Sequence, residues 1–147
     1  MAIVNFNELL NAYEFASSGT PYENAAYVCS ETGAVYITSS EVEVGEGLPE
    51  DLETSDRYLM VPTKADLDLG RSLALRFTDQ ELPESYNEVA KIFSKKGAYA
   101  RFKQLLESRD ALQRWFRFQE AETEAALRRW CEENNLQVNQ GHVPPVA

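Results

Sequence analysis

Histidine and cysteine are scarce in this sequence of 147 residues, which contains one histidine and two cysteines. The histidine, His142, stands between a glycine and a Val-Pro-Pro run near the end of the chain, where no rigid partner orients an imidazole. This placement argues against a histidine-based triad and against a histidine-rich zinc site. The sequence also lacks an apolar run long enough to span a bilayer and a basic N-terminal segment of the signal-peptide kind. We therefore expect a cytoplasmic protein with no part in the membrane.

The two cysteines, Cys29 and Cys131, are far apart in the sequence, on a predicted strand and a predicted helix. A disulfide between them stays open, but reduced thiols buried in the core are favoured in a cytosolic protein. Neither lies at the N-terminus of a predicted helix, the electropositive setting that lowers a thiol pKa, although Arg128 and Arg129 are near Cys131. We predict packing roles for both cysteines.

The net charge of −10 is distributed unevenly along the chain. Residues 1–60 contain eleven acidic residues and one basic residue, whereas residues 61–147 contain equal numbers of each. Within that second part, residues 91–117 carry eight bases and two acids. The acidic total repels nucleic acid at long range, while the basic segment could bind an anion. Alternatively, the acidic and basic parts attract each other within one fold.

Residues 39–55 form an acidic, glycine-containing segment that has no periodic pattern and is predicted to be a surface loop. Its carboxylates do not follow the ligand spacing of a calcium-binding EF-hand. A solvated loop is therefore favoured over a site for a hard cation, and over a surface that imitates nucleic acid. The acidic residues concerned are Glu41, Glu43, Glu46, Glu50, Asp51, Glu53 and Asp56.

The periodicity of the first half predicts one helix and three strands. The helix covers residues 6–16, with Asn5 as its cap and Glu8 completing a capping box. Strands at 26–30 and 34–38 are joined by Glu31-Thr32-Gly33, a strong hairpin signal. A third strand over 57–61 completes a small antiparallel sheet.

Four more helices are predicted after the sheet, which gives an α+β fold with about five helices in a single domain over residues 1–137. They cover 63–77 (with Gly70 a weak point), 83 to about 94, 98–107 and 110–133, and a flexible tail follows over 138–147. Thr63 is the predicted cap of the first, Asp110 with Gln113 forms a capping box at the start of the last, and Asn134-Asn135 can supply a left-handed cap at its end. The last two helices form an antiparallel helix hairpin, closed on a structural seam of aromatic residues at helical spacing. The seam consists of Tyr99, Phe102, Trp115, Phe116, Phe118 and Trp130.

The C-terminal block has a recognisable order of residues. It runs from a glycine through an aromatic residue and Arg-Phe-Lys to Trp-aromatic-x-Phe, and ends in Trp-x-Glu-Glu-Asn. The residues are Gly97, Tyr99, Arg101-Phe102-Lys103, Trp115-Phe116-Arg117-Phe118 and Trp130-Cys131-Glu132-Glu133-Asn134. This pattern resembles the bacterial uncharacterised protein family one-five-eight over about residues 5–137, with tyrosine at 99 and cysteine at 131 where the family is expected to have phenylalanine and leucine. The resemblance implies the order of helix, hairpin and strand, but no activity, substrate or catalytic residue.

The candidate binding residues are the bases of the C-terminal block, called the basic set below. Lysines beside the start of the helix near residue 98 suit a phosphate, and bases interleaved with aromatic residues suit stacked RNA. Helix capping and core packing explain the same residues more simply, because the aromatic positions have core spacing. The basic set consists of Lys95, Lys96, Arg101, Lys103, Arg114 and Arg117.

No nucleophile–base pair, metal-binding cluster or phosphate-binding loop occurs in the sequence, so we predict no catalytic residue, metal or cofactor. We favour a non-catalytic adaptor or regulatory domain that binds an unidentified protein partner. Anion or RNA binding through the basic set is the alternative, and nucleic acid is the less favoured partner. An enzyme that uses carboxylates such as Glu132 and Glu133, or a metal, is the third hypothesis. The sequence contains no indication of an oligomeric state.

Overall fold

The structure is a computed structural model that describes residues 2–18, 24–39 and 48–139. Helices and a three-stranded antiparallel sheet give an α+β fold, which confirms the predicted class. The chain divides into two compact units. Unit 1 comprises the described residues up to Leu67 together with those from Ala126 onward, and unit 2 is Asp68–Ala125. This division was not expected from the sequence, and a single domain over residues 1–137 stays a prediction.

In unit 1, helix α1 (Phe6–Ala16) has the predicted bounds and the predicted cap. The side chain of Asn5 accepts a 3.0 Å hydrogen bond from the N–H of Glu8, and the backbone of Asn5 is extended, as expected for an N-cap residue. The apolar face of the helix, which includes Leu9 and Tyr13, is buried. The sequence was therefore sufficient to predict both the bounds and the N-cap of this helix.

Three strands of unit 1 form the predicted antiparallel sheet. They are β2 (Asn24–Cys29), β3 (Val35–Ser39) and β4 (Tyr58–Met60), in the order β3-β2-β4. The hairpin turn has Gly33 at a φ of 79°, and a Cβ added there would lie 2.1 Å from the carbonyl oxygen of Ile3. Glycine is required because both the left-handed backbone and the neighbouring carbonyl exclude a side chain.

A second, two-stranded pairing in unit 1 was not predicted. Strands β1 (Ile3–Val4) and β5 (Gln137–Val138) are parallel, and the N–H of Gln137 donates to the carbonyl of Ala2 over 2.9 Å. Each strand has two residues, which is too short to show an alternating pattern in the sequence. The pairing brings the two ends of the described chain together.

The predicted boundary of the flexible tail at residue 138 is wrong. Val138 belongs to a strand, and the side chain of Asn139 accepts a 2.9 Å hydrogen bond from the N–H of Phe6. The remainder of the predicted tail, including His142, lies outside the described residues.

The last turns of helix α5 (Leu112–Glu133) contribute to the interior of unit 1. Leu127 and Cys131 are fully buried, and the guanidinium carbon of Arg128 lies 4.6 Å from the centroid of the Phe6 ring. The helix ends at Glu133, and Asn135, two residues later, has a φ of 57°, the left-handed conformation predicted for this end.

In unit 2, helix α2 (Arg71–Glu81) begins and ends later than the predicted 63–77. Thr63 and Asp66 do exchange the expected hydrogen bonds, of 2.9 and 3.2 Å, but they close only one turn. The helix does not continue because Asp68 has a φ of 56°, outside the right-handed helical region. It starts after Gly70, the predicted weak point.

Three more helices follow in the described chain. A 3₁₀ turn at Pro83–Ser85 leads into α3 (Tyr86–Ile92), and Gly97, with a φ of 74°, precedes α4 (Ala98–Ser108). Asp110 was predicted to cap the last helix, but its φ of 57° places it in the turn before α5. No helix in the described part of the chain is long and apolar enough to cross a membrane.

Candidate interaction surfaces

Trp115 is the centre of an aromatic cluster in unit 2. Its ring centroid lies 5.1 Å from that of Phe102 and 5.4 Å from that of Phe77, and both contacts are close to edge-to-face. Trp115 and its two neighbours are each at most 1% exposed. Such rings are held by packing, because edge-to-face pairs add to the free energy of burial. The whole cluster consists of Phe77, Phe93, Tyr99, Phe102, Trp115 and Phe118.

A chain of hydrogen bonds links α4 to α5 at the edge of this cluster. The indole N–H of Trp115 donates to the hydroxyl of Tyr99 over 3.2 Å, and that hydroxyl donates to the side-chain carbonyl of Gln119 over 3.4 Å. Tyr99 contacts a later turn of α5 than Phe102 does, which is the order that an antiparallel helix hairpin requires. The chain satisfies the polar atoms that the seam brings into the interior.

Two residues of the predicted seam lie elsewhere. Phe116 is 40% exposed, because it follows Trp115 directly and a helix turns by about 100° per residue. Trp130 is half-buried on the part of α5 that belongs to unit 1. Spacing alone therefore overestimated the extent of the seam, since α5 contributes to both compact units.

Two of the six members of the basic set are engaged within unit 2. Arg114 forms a 3.2 Å ion pair with Glu81, and the ammonium of Lys103 lies 4.9 Å from the centroid of the Tyr99 ring. Arg109, a base of the same segment, pairs with Glu88 over 3.4 Å and donates to the hydroxyl of Ser85. These exposed pairs contribute little to stability, but they make the charges of these residues less available to a ligand.

The remaining members of the basic set are Lys95, Lys96, Arg101 and Arg117. All four are exposed, and none forms an ion pair with any residue that the structure describes. Arg101 and Lys103 are two positions apart on α4, so they project from nearly opposite sides of the helix. The six bases therefore do not share one face. The unengaged charges closest in sequence are Lys95, Lys96 and Arg101, at the turn before α4 and in its first turns.

An open groove of about 390 Å³ runs along α2 beside the start of α3. Four of its lining residues lie on one face of α2, because they follow the spacing i, i+3, i+4, i+7. Tyr86, the first residue of α3, forms the other wall and is 37% exposed. The lining residues are Ser72, Leu75, Arg76, Asp79 and Tyr86.

The sequence analysis did not identify this groove. It placed the start of α2 eight residues too early, at residue 63 instead of 71, and it included Tyr86 in a helix without predicting that its ring is exposed. The polar residues on either side of Leu75 give no signal in the sequence, because an exposed helix face normally has this composition.

The sheet of unit 1 also presents apolar side chains to solvent. Tyr36, Tyr27 and Met60 occupy paired positions on adjacent strands, so they form a row on one face, in which Tyr27 is buried and Met60 is exposed. Met60 is 62% exposed, whereas Ile37, which is also exposed, belongs to the other face. Isolated exposed apolar residues are common on soluble proteins and need no partner to explain them.

Comparisons with protein-family models, curated proteins and solved structures give no match to this chain. The resemblance to family one-five-eight, carried by the block from Gly97 to Asn134, therefore stays a prediction.

The two cysteines have different environments in unit 1, and both are free. Burial raises the pKa of the Cys131 thiol to about 11, against the opposing charge of Arg128. Burial also acts to raise the pKa of Cys29, but hydrogen bonds from the Thr32 hydroxyl and from the backbone of Glu31 and Thr32 outweigh it and lower that pKa. Cys29 lies on a strand and not at a helix N-terminus, so the lowering comes from the hydrogen bonds of the hairpin turn, which the sequence analysis did not consider.

Arg57 is flanked by two carboxylates, one in the acidic segment and one in the hairpin turn. Asp51 pairs with it over 2.7 Å and Glu31 lies 3.9 Å away, while Glu41, Glu43 and Glu46 lie outside the described residues. Among the described residues, no group of three or more histidine, cysteine and acidic side chains is placed to hold a metal ion. Glu132 and Glu133, the carboxylates of the enzyme hypothesis, are exposed at the end of α5.

Proposed function

We propose that this protein acts by binding another protein and has no catalytic role of its own. The observation that carries the proposal is the groove on unit 2. An exposed aromatic ring, an aliphatic side chain, and a carboxylate and hydroxyls that pair with no described residue line it together. Tyrosine is enriched at protein interfaces because its ring supplies contact area and its hydroxyl supplies a hydrogen bond. Scattered apolar residues such as Met60 lack this combination.

The cytoplasm is the compartment we propose. Cys29 and Cys131 are free thiols within unit 1. Free thiols are characteristic of reducing compartments, because oxidising ones convert cysteines to disulfides in many secreted proteins.

Photo-crosslinking in living cells of the native host tests the protein-binding function. Leu75 is replaced by p-benzoylphenylalanine in the full-length chain, and the matched control carries the same group at Gln104, an exposed position on α4. We expect a discrete protein adduct at position 75 that is absent at position 104. The proposal fails if neither position 75 nor position 86 yields an adduct above the control.

Anion binding is the second candidate, and the unengaged bases Lys95, Lys96 and Arg101 favour it. Cations that form no ion pair with a described residue are available to neutralise phosphates, and each neutralised phosphate releases counterions. Titration of a single-stranded RNA probe at several salt concentrations tests this candidate. We expect Lys96→Glu with Arg101→Glu to abolish salt-dependent binding, whereas Arg71→Glu, an exposed base on α2, leaves it unchanged. Equal binding by both variants contradicts the candidate.

A further inference from the structure

The groove on unit 2 has an uncompensated negative charge. Its single cation, Arg76, is already held by α5: its guanidinium forms a 3.0 Å ion pair with Glu122 and lies 5.7 Å from the centroid of the Phe118 ring. Asp79, on the same face of α2 one turn later, forms no ion pair or hydrogen bond with any residue that the structure describes. The carboxylate available to a ligand is therefore that of Asp79.

The other groups in the groove suit a cation that also has a flat surface. The ring of Tyr86 is exposed, and aromatic faces attract guanidinium and ammonium groups through their quadrupole. Ser72 and Tyr86 add two hydroxyls for which no hydrogen bond occurs within the described chain. Leu75 supplies an apolar floor against which a methylene chain can pack.

We propose that the groove is the docking site for an arginine side chain of the partner protein, with Asp79 as the residue that determines specificity. This inference rests on the protein-binding function proposed above and adds the chemistry of the partner. A guanidinium fits the groups of this groove better than an ammonium, because the planar guanidinium pairs with a carboxylate through two hydrogen bonds and stacks on an aromatic ring. The groove is open and is formed mainly by one helix face, so it accepts a side chain from a segment that lies across α2.

Selection from a random-peptide phage library on the full-length protein tests the inference. We expect arginine to be enriched at a fixed position next to an apolar residue among the peptides selected by the wild-type protein. The charge-reversed variant Asp79→Lys should select glutamate or aspartate at that position instead. Glu107→Lys, which reverses an exposed carboxylate on α4, is the matched control and should keep the wild-type preference.

The affinities of one selected peptide for variants of the protein then separate the contribution of the Asp79 carboxylate from that of the Tyr86 ring. Asp79→Asn should weaken binding about five- to tenfold, because it removes the charge but keeps the shape. Tyr86→Ala should weaken it by a similar factor, whereas Phe116→Ala, at an equally exposed aromatic residue of α5, should leave it unchanged. Replacement of the peptide arginine by lysine should cost part of the affinity, and replacement by citrulline most of it.

The outcomes distinguish this inference from the function on which it rests. If the selected peptides show no preference for arginine, if they bind Asp79→Lys as well as the wild type, or if no peptide is selected, the inference is overturned. A crosslinked protein adduct at position 75 would still support protein binding in each of these cases. If the adduct is absent as well, both the function and the inference fail.

Discussion

Tyr36 and Tyr58 meet edge to face across the central strand of the sheet, with ring centroids 6.0 Å apart and planes inclined at 81°. Tyr36 pairs with Tyr27 of β2 and Tyr58 pairs with Cys29, so the two rings come from the two edge strands and touch above the middle one. The contact joins β3 and β4, which share no backbone hydrogen bonds in the order β3-β2-β4. It therefore connects the short third strand to the hairpin through side chains.

A double-mutant cycle should detect this contact. Tyr36→Ala and Tyr58→Ala are measured separately and together by chemical denaturation, and we expect a coupling free energy of about 1 kcal/mol. Tyr58→Phe keeps the ring and should retain most of the coupling. Strict additivity of the two alanine substitutions would show that the rings do not stabilise each other.

Gly33 and Gly97 offer a matched comparison of backbone strain and steric exclusion. Both have a positive φ, of 79° and 74°, but a Cβ meets a backbone carbonyl at Gly33 and nothing within 4 Å at Gly97. Gly97→Ala should cost about 1 kcal/mol in the free energy of unfolding, from the left-handed backbone alone. Gly33→Ala should cost well above that, because the carbonyl of Ile3 must also move. Equal losses in the two variants would mean that the turn relaxes without cost.

The parallel pairing of the chain ends should contribute measurably to stability. A chain that stops after Asn139 keeps the backbone bonds from Gln137 to Ala2 and from Asn139 to Val4, together with the side-chain bond at Phe6. A chain that stops after Leu136 loses them, at about 1 kcal/mol for each hydrogen bond. We expect the shorter chain to unfold at lower denaturant concentration and the chain ending at Asn139 to match the full-length protein. Identical midpoints for both truncations would contradict a stabilising role of β5.

Removing the acceptor of the Trp115 indole hydrogen bond should destabilise the protein, and part of this cost should disappear when the donor is removed as well. Tyr99→Phe leaves the N–H of Trp115 without the acceptor it has now, at an expected cost of about 1–3 kcal/mol. Trp115→Phe with Tyr99→Phe should be less destabilised than the sum of the two single variants, because no donor is then left unpaired. The measurement is the free energy of unfolding, and a sum that matches the double variant would exclude this coupling.

Cys131 should make the protein less stable at high pH. Its folded-state pKa of about 11 exceeds the ordinary thiol value of about 8.5–9, so the unfolded chain loses the proton first as pH rises. The stabilisation is fully present below pH of about 8.5 and is lost progressively up to about 11, by roughly 2–3 kcal/mol. The difference in unfolding free energy between wild type and Cys131→Ala, followed from pH 8 to 11, isolates this group from lysine and tyrosine titration. A difference that does not change with pH would contradict the burial effect. The difference between wild type and Cys29→Ala should change in the opposite direction, because the folded-state pKa of Cys29 is lowered.

The elements that the sequence predicted well are those with local chemical signals. The Asn5 cap, the glycine of the hairpin turn and the asparagine after α5 each act within a few residues, so a short window contains the relevant interactions. Thr63 and Asp110 show the limit of such signals. The capping pattern that Thr63 forms with Asp66 closed only one turn, and Asp110, an aspartate suited to capping, adopted a left-handed turn conformation instead.

Features that depend on distant residues could not be predicted in this way. The seam was overextended to Phe116 and Trp130 because helical spacing does not show where α5 passes from one compact unit to the other. The sequence did not show which members of the basic set are engaged, because the ion pair of Arg114 with Glu81 joins residues 33 positions apart in the chain. To predict the groove, the sequence would have had to show where α2 starts and that Tyr86 is exposed. Neither property has a local signal in the sequence.

The contact between Phe6 and Asn139 spans 133 positions in the chain, and this length has a kinetic consequence. Closing so long a loop costs conformational entropy, and two strands of two residues each form few hydrogen bonds to offset this cost. We therefore expect β1 and β5 to pair after the sheet has formed. A circular permutant that connects the two strands by a short linker, with new ends in an exposed loop, converts this closure into a local event. Its folding should be faster while the same native pairs are made.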